Sequence, residues 1–232
     1  MSPRVSLDTP FDRDGAVEWK GAQRAVLGGD VQGHVALEPL ATRLHLYGLG
    51  PLEGLRGEVT IAGGLPSIAT IIDGEVRVER AWRGQACFLV VAEVPRWHAT
   101  TIDVPVQDEP MLDAAVRRRA CARGLRPGCP LPFLIQARAE RLDFHVLDKR
   151  DGLPHNPERH EQAKARFALQ DVAVEIVGFR SDRHRGIFTP GHSTIHMHMT
   201  TADGKLSGHV DTVHLAAGWT LSLPAADPEA TS

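Results

Sequence analysis

Residues 196–209 read HMHMTTADGKLSGH and set His196, His198 and His209 around one short turn. Asp203-Gly204 between alternating residues is a strong hairpin signal, a two-residue type I′ turn. With that turn Thr200 faces Ser207 and His198 faces His209. His196 then lies two residues back on the same face, diagonal to His209. Directly opposed Cβ atoms sit about 4.5–5.5 Å apart and diagonal ones about 7–8 Å. Three imidazoles therefore converge within reach of one cation, since Zn–N bonds are about 2.0–2.1 Å. Three protein ligands leave coordination positions open, the pattern of a catalytic rather than a structural site. Imidazole suits zinc, and also iron, nickel, copper and manganese. A histidine-rich surface face is the plainer reading of the same spacing. His192 shares the parity of His196 and His198 and ranks as a secondary ligand candidate, while His214 is expected to face away.

Several strands must carry this hairpin. Period-2 or apolar runs occur at 58–63, 67–80, 86–94 and 97–106, with Asp73-Gly74 and Pro95-Arg96 as turns. The 37–48 segment has apolar residues at helical spacing with Gly48 as a stop. Asp108 is placed to cap a helix over 109–125. The run RPGCPLP (126–132) is Pro/Gly punctuation and marks the expected boundary between a domain of residues 1–127 and one of residues 128–232. The second half adds a strand over 133–148, a short helix near 157–168, a strand over 171–181, the hairpin and a strand over 218–224. The expectation is an α+β protein: a mixed β-sheet domain with one long helix, then an antiparallel, barrel-like β domain that carries the histidines.

Bulk properties narrow the function classes. The 232 residues are 42% hydrophobic and 24% charged, with a net charge of −3. That balance gives no electrostatic reason to expect nucleic acid or an anionic membrane as partner. No apolar run approaches the roughly 18–20 residues of a membrane helix, and the first residues show no signal-peptide core. Cys87, Cys121 and Cys129 are odd in number and not in C-x-x-C spacing. They read as reduced thiols in a cytoplasmic protein.

Residues 177–210, VGFRSDRHRGIFTPGHSTIHMHMTTADGKLSGHV, resemble the α-acetolactate decarboxylases. In that family a G-F…P-G stretch precedes H-x-H, a turn and G-G-H, with the same ten residues between the second and third histidines. GLGPLEGLRGEVTI (48–61) resembles the family's G-x-G…G-E stretch, and LPFLIQARAE (131–140) sits where the family has a strand carrying an arginine. The resemblance spans roughly residues 45–223 in consistent order. It implies His196, His198 and His209 as zinc ligands, Glu58 as the active-site glutamate and Arg138 as the partner of the substrate carboxylate. It also implies a small-molecule hydroxy-keto acid as substrate and a homodimer. The likeness is to a divergent member. The family brings in a second glutamate from its C-terminal segment, whereas the glutamate present after His209 here is Glu229.

The implied chemistry is coherent. Loss of CO2 beside a ketone leaves negative charge, which a Lewis-acid metal stabilises. A guanidinium aligns the departing carboxylate, and a glutamic acid returns a proton. The expected activity is metal-dependent decarboxylation of 2-acetolactate or a related 2-hydroxy-3-oxo acid to an acetoin-type product. Isomerisation or retro-aldol cleavage of another hydroxy-keto acid is the nearest alternative. A cupin-like metal-binding module without catalysis is a more distant one.

Overall fold

The computed structural model describes residues 10–126 and 128–225. Glu229 lies outside them. In chain order the first half holds β1 (Asp12–Asp14), β2 (Val17–Lys20), α1 (Gln23–Leu27), β3 (Val35–Ala36), β4 (Leu46–Pro51), β5 (Glu58–Ala62), β6 (Leu65–Ile72), β7 (Glu75–Glu79), β8 (Gln85–Ala86) and β9 (Leu89–Glu93). The remainder holds β10 (Trp97–Ile102), α2 (Glu109–Ala122), β11 (Leu131–Leu147), α3 (Pro157–Gln162), β12 (Lys164–Arg180), β13 (Ile195–Thr201), β14 (Ser207–Leu215) and β15 (Trp219–Pro224).

Seven strands form one sheet in the order β1-β2-β9-β4-β5-β6-β7, and six form another in the order β10-β15-β11-β12-β13-β14. Every pairing in the first sheet is antiparallel, which corrects the expected mixed sheet. Hairpins and short links join most of its neighbours, and such links suit antiparallel pairs. In the second sheet β14 also pairs with β11, so β11, β12, β13 and β14 close into a ring of strands. The division between the two sheets falls between β9 and β10. The buried side of α2, Leu112, Ala115 and Val116, shares a core with Phe133, Phe144 and Met199 of the ring. Leu49, Val90 and Ala92 of the first sheet bury against Leu134, Val177, Phe179 and Phe188. That contact presses one face of the first sheet onto the ring.

Two local expectations change. Residues 37–48 form a 3-10 turn at Glu38–Thr42 and then a buried strand, not a helix. The strand is central, and Gly48 and Gly50 let it lie close to β9: a Cβ at Gly50 would stand 2.1 Å from the Phe88 carbonyl oxygen. The helix expected near 157–168 ends at Gln162, and β12 starts two residues later. The cap on α2 forms as expected, with Asp108 accepting from the Met111 amide at 2.8 Å.

Candidate metal centre

The hairpin forms in the expected register. His198 pairs with His209 and Thr200 with Ser207. The turn itself is different. A type I′ turn needs positive φ at both central residues, and here only Gly204 has it, at 71°. The Thr201 amide donates to Leu206 and the Gly204 amide to Thr201, which closes a four-residue loop over Ala202–Lys205. Its centre coincides with that of the expected two-residue turn, so the register is unchanged. The other Asp-Gly pair, Asp73-Gly74, does have positive φ at both residues, 53° and 81°.

The three imidazoles converge. Ring centroids lie 4.8 Å apart for His196–His209, 5.2 Å for His196–His198 and 5.4 Å for His198–His209. One nitrogen from each falls within 4.8 Å of the others. His196 Nδ1 donates to the Phe188 carbonyl at 2.7 Å, which leaves its Nε2 bare and 3.1 Å from His209 Nδ1. Two nitrogens sharing a tetrahedral zinc would sit roughly 3.4 Å apart, given Zn–N bonds of about 2.1 Å. His198 Nδ1 lies 3.3 Å from the Thr60 hydroxyl. His198 Nε2 is buried with no hydrogen-bond partner. An orphaned buried nitrogen costs about 1–3 kcal/mol, and a cation would remove that cost. The donor set therefore fits a divalent ion with imidazole preference. Burial holds all three rings neutral, as ligation requires: it depresses His198 and His209 well below the usual histidine value and His196 to about 4.

Glu58 opens β5 and is only 2% exposed. Its Oε2 is 3.6 Å from His198 Nε2. Desolvation raises its carboxyl well above the ordinary value, which favours the protonated acid. Residues 58 and 60 share one face of β5, so Glu58 and Thr60 address the two nitrogens of one histidine. His196, His209 and Glu58 line a cavity of about 280 Å³ together with His145, Asp211 and Lys164. His145 pairs with His209 across β11 and β14. Its Nδ1 donates to Asp211 Oδ1 at 2.8 Å, and its ring is 4.5 Å from that of His209. His192 lines the cavity as an exposed residue and belongs to neither metal-competent group.

The structure does not bring Arg138 to this cavity. Its side chain is 64% exposed and forks onto Asp171, with Nη2 at 2.7 Å from Oδ2. Arg138 lies seven residues before His145 on β11, about 23 Å at 3.3 Å per residue. Reading the residues in order singled out none of His145, Asp211, Thr60 or Lys164. Each is unremarkable in its own segment and meets the histidines only through pairing or packing of distant strands.

No family model and no curated protein matches the chain. Solved structures do. An α-acetolactate decarboxylase from Bacillus subtilis strain 168 aligns over 89% of this chain and 85% of its own, with a TM-score of 0.70 and 15% identity. The acetolactate decarboxylase of Bacillus subtilis subspecies spizizenii aligns over 90% and 85%, with a TM-score of 0.71 and 15% identity. A Staphylococcus aureus protein of unknown function, described as similar to α-acetolactate decarboxylase, aligns over 88% and 83% at a TM-score of 0.69 and 14% identity. This chain has the acetolactate decarboxylase fold. The expected resemblance thus holds across the architecture and not only across the hairpin.

Proposed function

We propose that the chain is a metal-dependent carboxy-lyase that decarboxylates 2-acetolactate or a close 2-hydroxy-3-oxo acid to an acetoin-type product and CO2. The observation that carries this reading is the meeting of three imidazoles, one with an orphaned buried nitrogen, and a buried carboxyl beside a small cavity. His196, His198 and His209 would hold a zinc ion or a similar divalent metal. Such an ion supplies Lewis acidity for the negative charge that develops on substrate oxygens as CO2 leaves. Phe188 and Thr60 fix the rings of His196 and His198, as outer partners of metal-ligating histidines do. Glu58 delivers its proton to the carbon that has lost CO2 and recovers one from water. Burial raises its carboxyl above the ordinary value, which favours the protonated form that a donor needs. The small cavity suits a metabolite of a few carbons. We also propose a homodimer in the cytoplasm, and two domains meeting near residue 127, in keeping with the resemblance.

Isomerisation or retro-aldol cleavage of a related hydroxy-keto acid is the second reading. The absence of Arg138 from the cavity favours it, because among the described residues lining it there is no guanidinium to align a departing carboxylate. Acetoin formation from racemic 2-acetolactate separates the two. Zinc-loaded protein should form acetoin and chelator-treated protein should not. Metal-replete protein that forms none rules out 2-acetolactate as the substrate and favours the second reading.

A further inference from the structure

A carboxylate substrate needs a cation, and Arg138 faces solvent away from the cavity. Among the described residues lining the cavity, Lys164 is the one lysine or arginine. It opens β12 opposite Leu147 and directly follows α3 and its cap residue Ala163. The Asp148 amide donates to the Ala163 carbonyl at 2.8 Å, so the backbone there is pinned. The lysine side chain is only 19% exposed.

Lys164 Nζ rests 2.8 Å from Glu161 Oε2. That carboxylate is 60% exposed and is bound at its other oxygen by Arg166. Two cations thus share one anion. Because the Glu161 carboxylate is exposed and also held by Arg166, Lys164 can exchange it for an incoming carboxylate while Arg166 keeps Glu161 neutralised. The other basic groups facing the cavity are poor anchors. His145 is committed to Asp211, and His160 shares its Nδ1 with His155 Nε2 at 3.2 Å. Burial depresses both, His160 to about 4, so near pH 7 they are uncharged. Of the acidic groups there, Asp211 is bonded to His145 and Glu109 to Ser193. Burial favours the protonated form of Glu58.

We propose that Lys164 binds the substrate carboxylate at this site, the role that Arg138 was expected to fill. The inference rests on the hydroxy-keto acid reading above and names the acid-recognising residue within it. An ammonium is a point charge, whereas a guanidinium is a planar fork, so the carboxylate is held by charge more than by direction.

The test uses zinc-loaded protein and two stable probes. One is 2,3-dihydroxy-2-methylbutanoate, the substrate skeleton with its ketone reduced. The other is 2,3-butanediol, which keeps both hydroxyls and lacks the carboxylate. In titration calorimetry Lys164→Met should weaken the acid by about 10-fold or more, the scale of one lost charge-assisted hydrogen bond, and leave the diol unchanged. Lys164→Arg should restore acid binding, and Arg138→Ala should leave it intact. Wild-type affinity for the acid in Lys164→Met overturns the proposal, as does equal weakening of acid and diol. Failure of wild-type zinc protein to bind the acid overturns it too. If Lys164→Met loses zinc or its cooperative melt, Lys164→Gln replaces it under the same criteria. The two readings fail separately. Lys164-dependent acid binding without acetoin formation removes 2-acetolactate as the substrate and keeps the anchor. Acetoin formation with an unaltered KM in Lys164→Met removes the anchor and keeps the decarboxylase.

Discussion

The hairpin of β13 and β14 and the outer half of β11 both carry residues whose types suit the expected chemistry, yet they differ in outcome. In the hairpin, three histidines meet across one turn. On β11, Arg138 ends in an exposed fork with Asp171, far along the strand from the cavity. The hairpin's geometry is local. Once its turn is centred at residues 203–204, the period-2 alternation fixes which side chains meet. The fate of Arg138 depended on where a 17-residue strand runs relative to the site, and nothing near it in sequence sets that. Residue type nominated both, but only the short-range constraint was enough to place one.

Substitutions can break or sharpen this contrast. The largest effect is expected for His198→Ala, which should abolish stoichiometric zinc in the purified protein as read by metal analysis. A full complement of zinc in that variant would remove the three-histidine centre. Glu58→Gln comes next. It should keep its zinc while turnover falls by about 10²–10⁴-fold, the usual contribution of a general acid. Unchanged turnover would mark the buried carboxyl as structural. Thr60→Ala should weaken zinc about 10–100-fold, as loss of an outer partner does; competition with a chelator reads this directly. Arg138→Ala should change neither zinc content, turnover nor Tm. A rise in KM would put the arginine strand back in the site.

Acidification probes the same cluster without substitution. His196, His198, His209 and His145 have lowered values in the folded chain. The unfolded chain therefore binds more protons below about pH 6.5, and stability from these groups is lost as pH falls toward the folded values. For His196 that window runs from its ordinary 6.5 to about 4. Glu58 has the opposite sign. Its raised value gives stability that is full below the ordinary 4.5 and is lost as pH rises through the folded value. Four histidines outweigh one glutamate, so the Tm of zinc-free protein should drop between pH 7 and pH 4.5, and Glu58→Gln should steepen the drop. A flat Tm over that range would contradict the buried, neutral state of the rings.

Much of the strand content was legible because buried and exposed residues alternate, and α2 because Asp108 caps it. The strand at 46–51 was not, since its apolar spacing suits either period and its glycines serve close backbone approach rather than a stop. The sequence by itself determined the register of β13 and β14, and with it the convergence of His196, His198 and His209. A turn centred on one dipeptide leaves the alternating strands no other pairing that keeps Met197 and Met199 in the core. Tertiary structure alone decided what surrounds them. Glu58 and Thr60 arrive because the first sheet packs its β5 face on the ring, 138 residues away from His198 in the case of Thr60. His145 and Lys164 arrive because β11 and β12 run the length of the ring and return the chain, through α3, to the cavity mouth. Such contacts are set by the burial of whole faces, Leu49 and Val90 against Val177 and Phe179 among them, and no single segment encodes them.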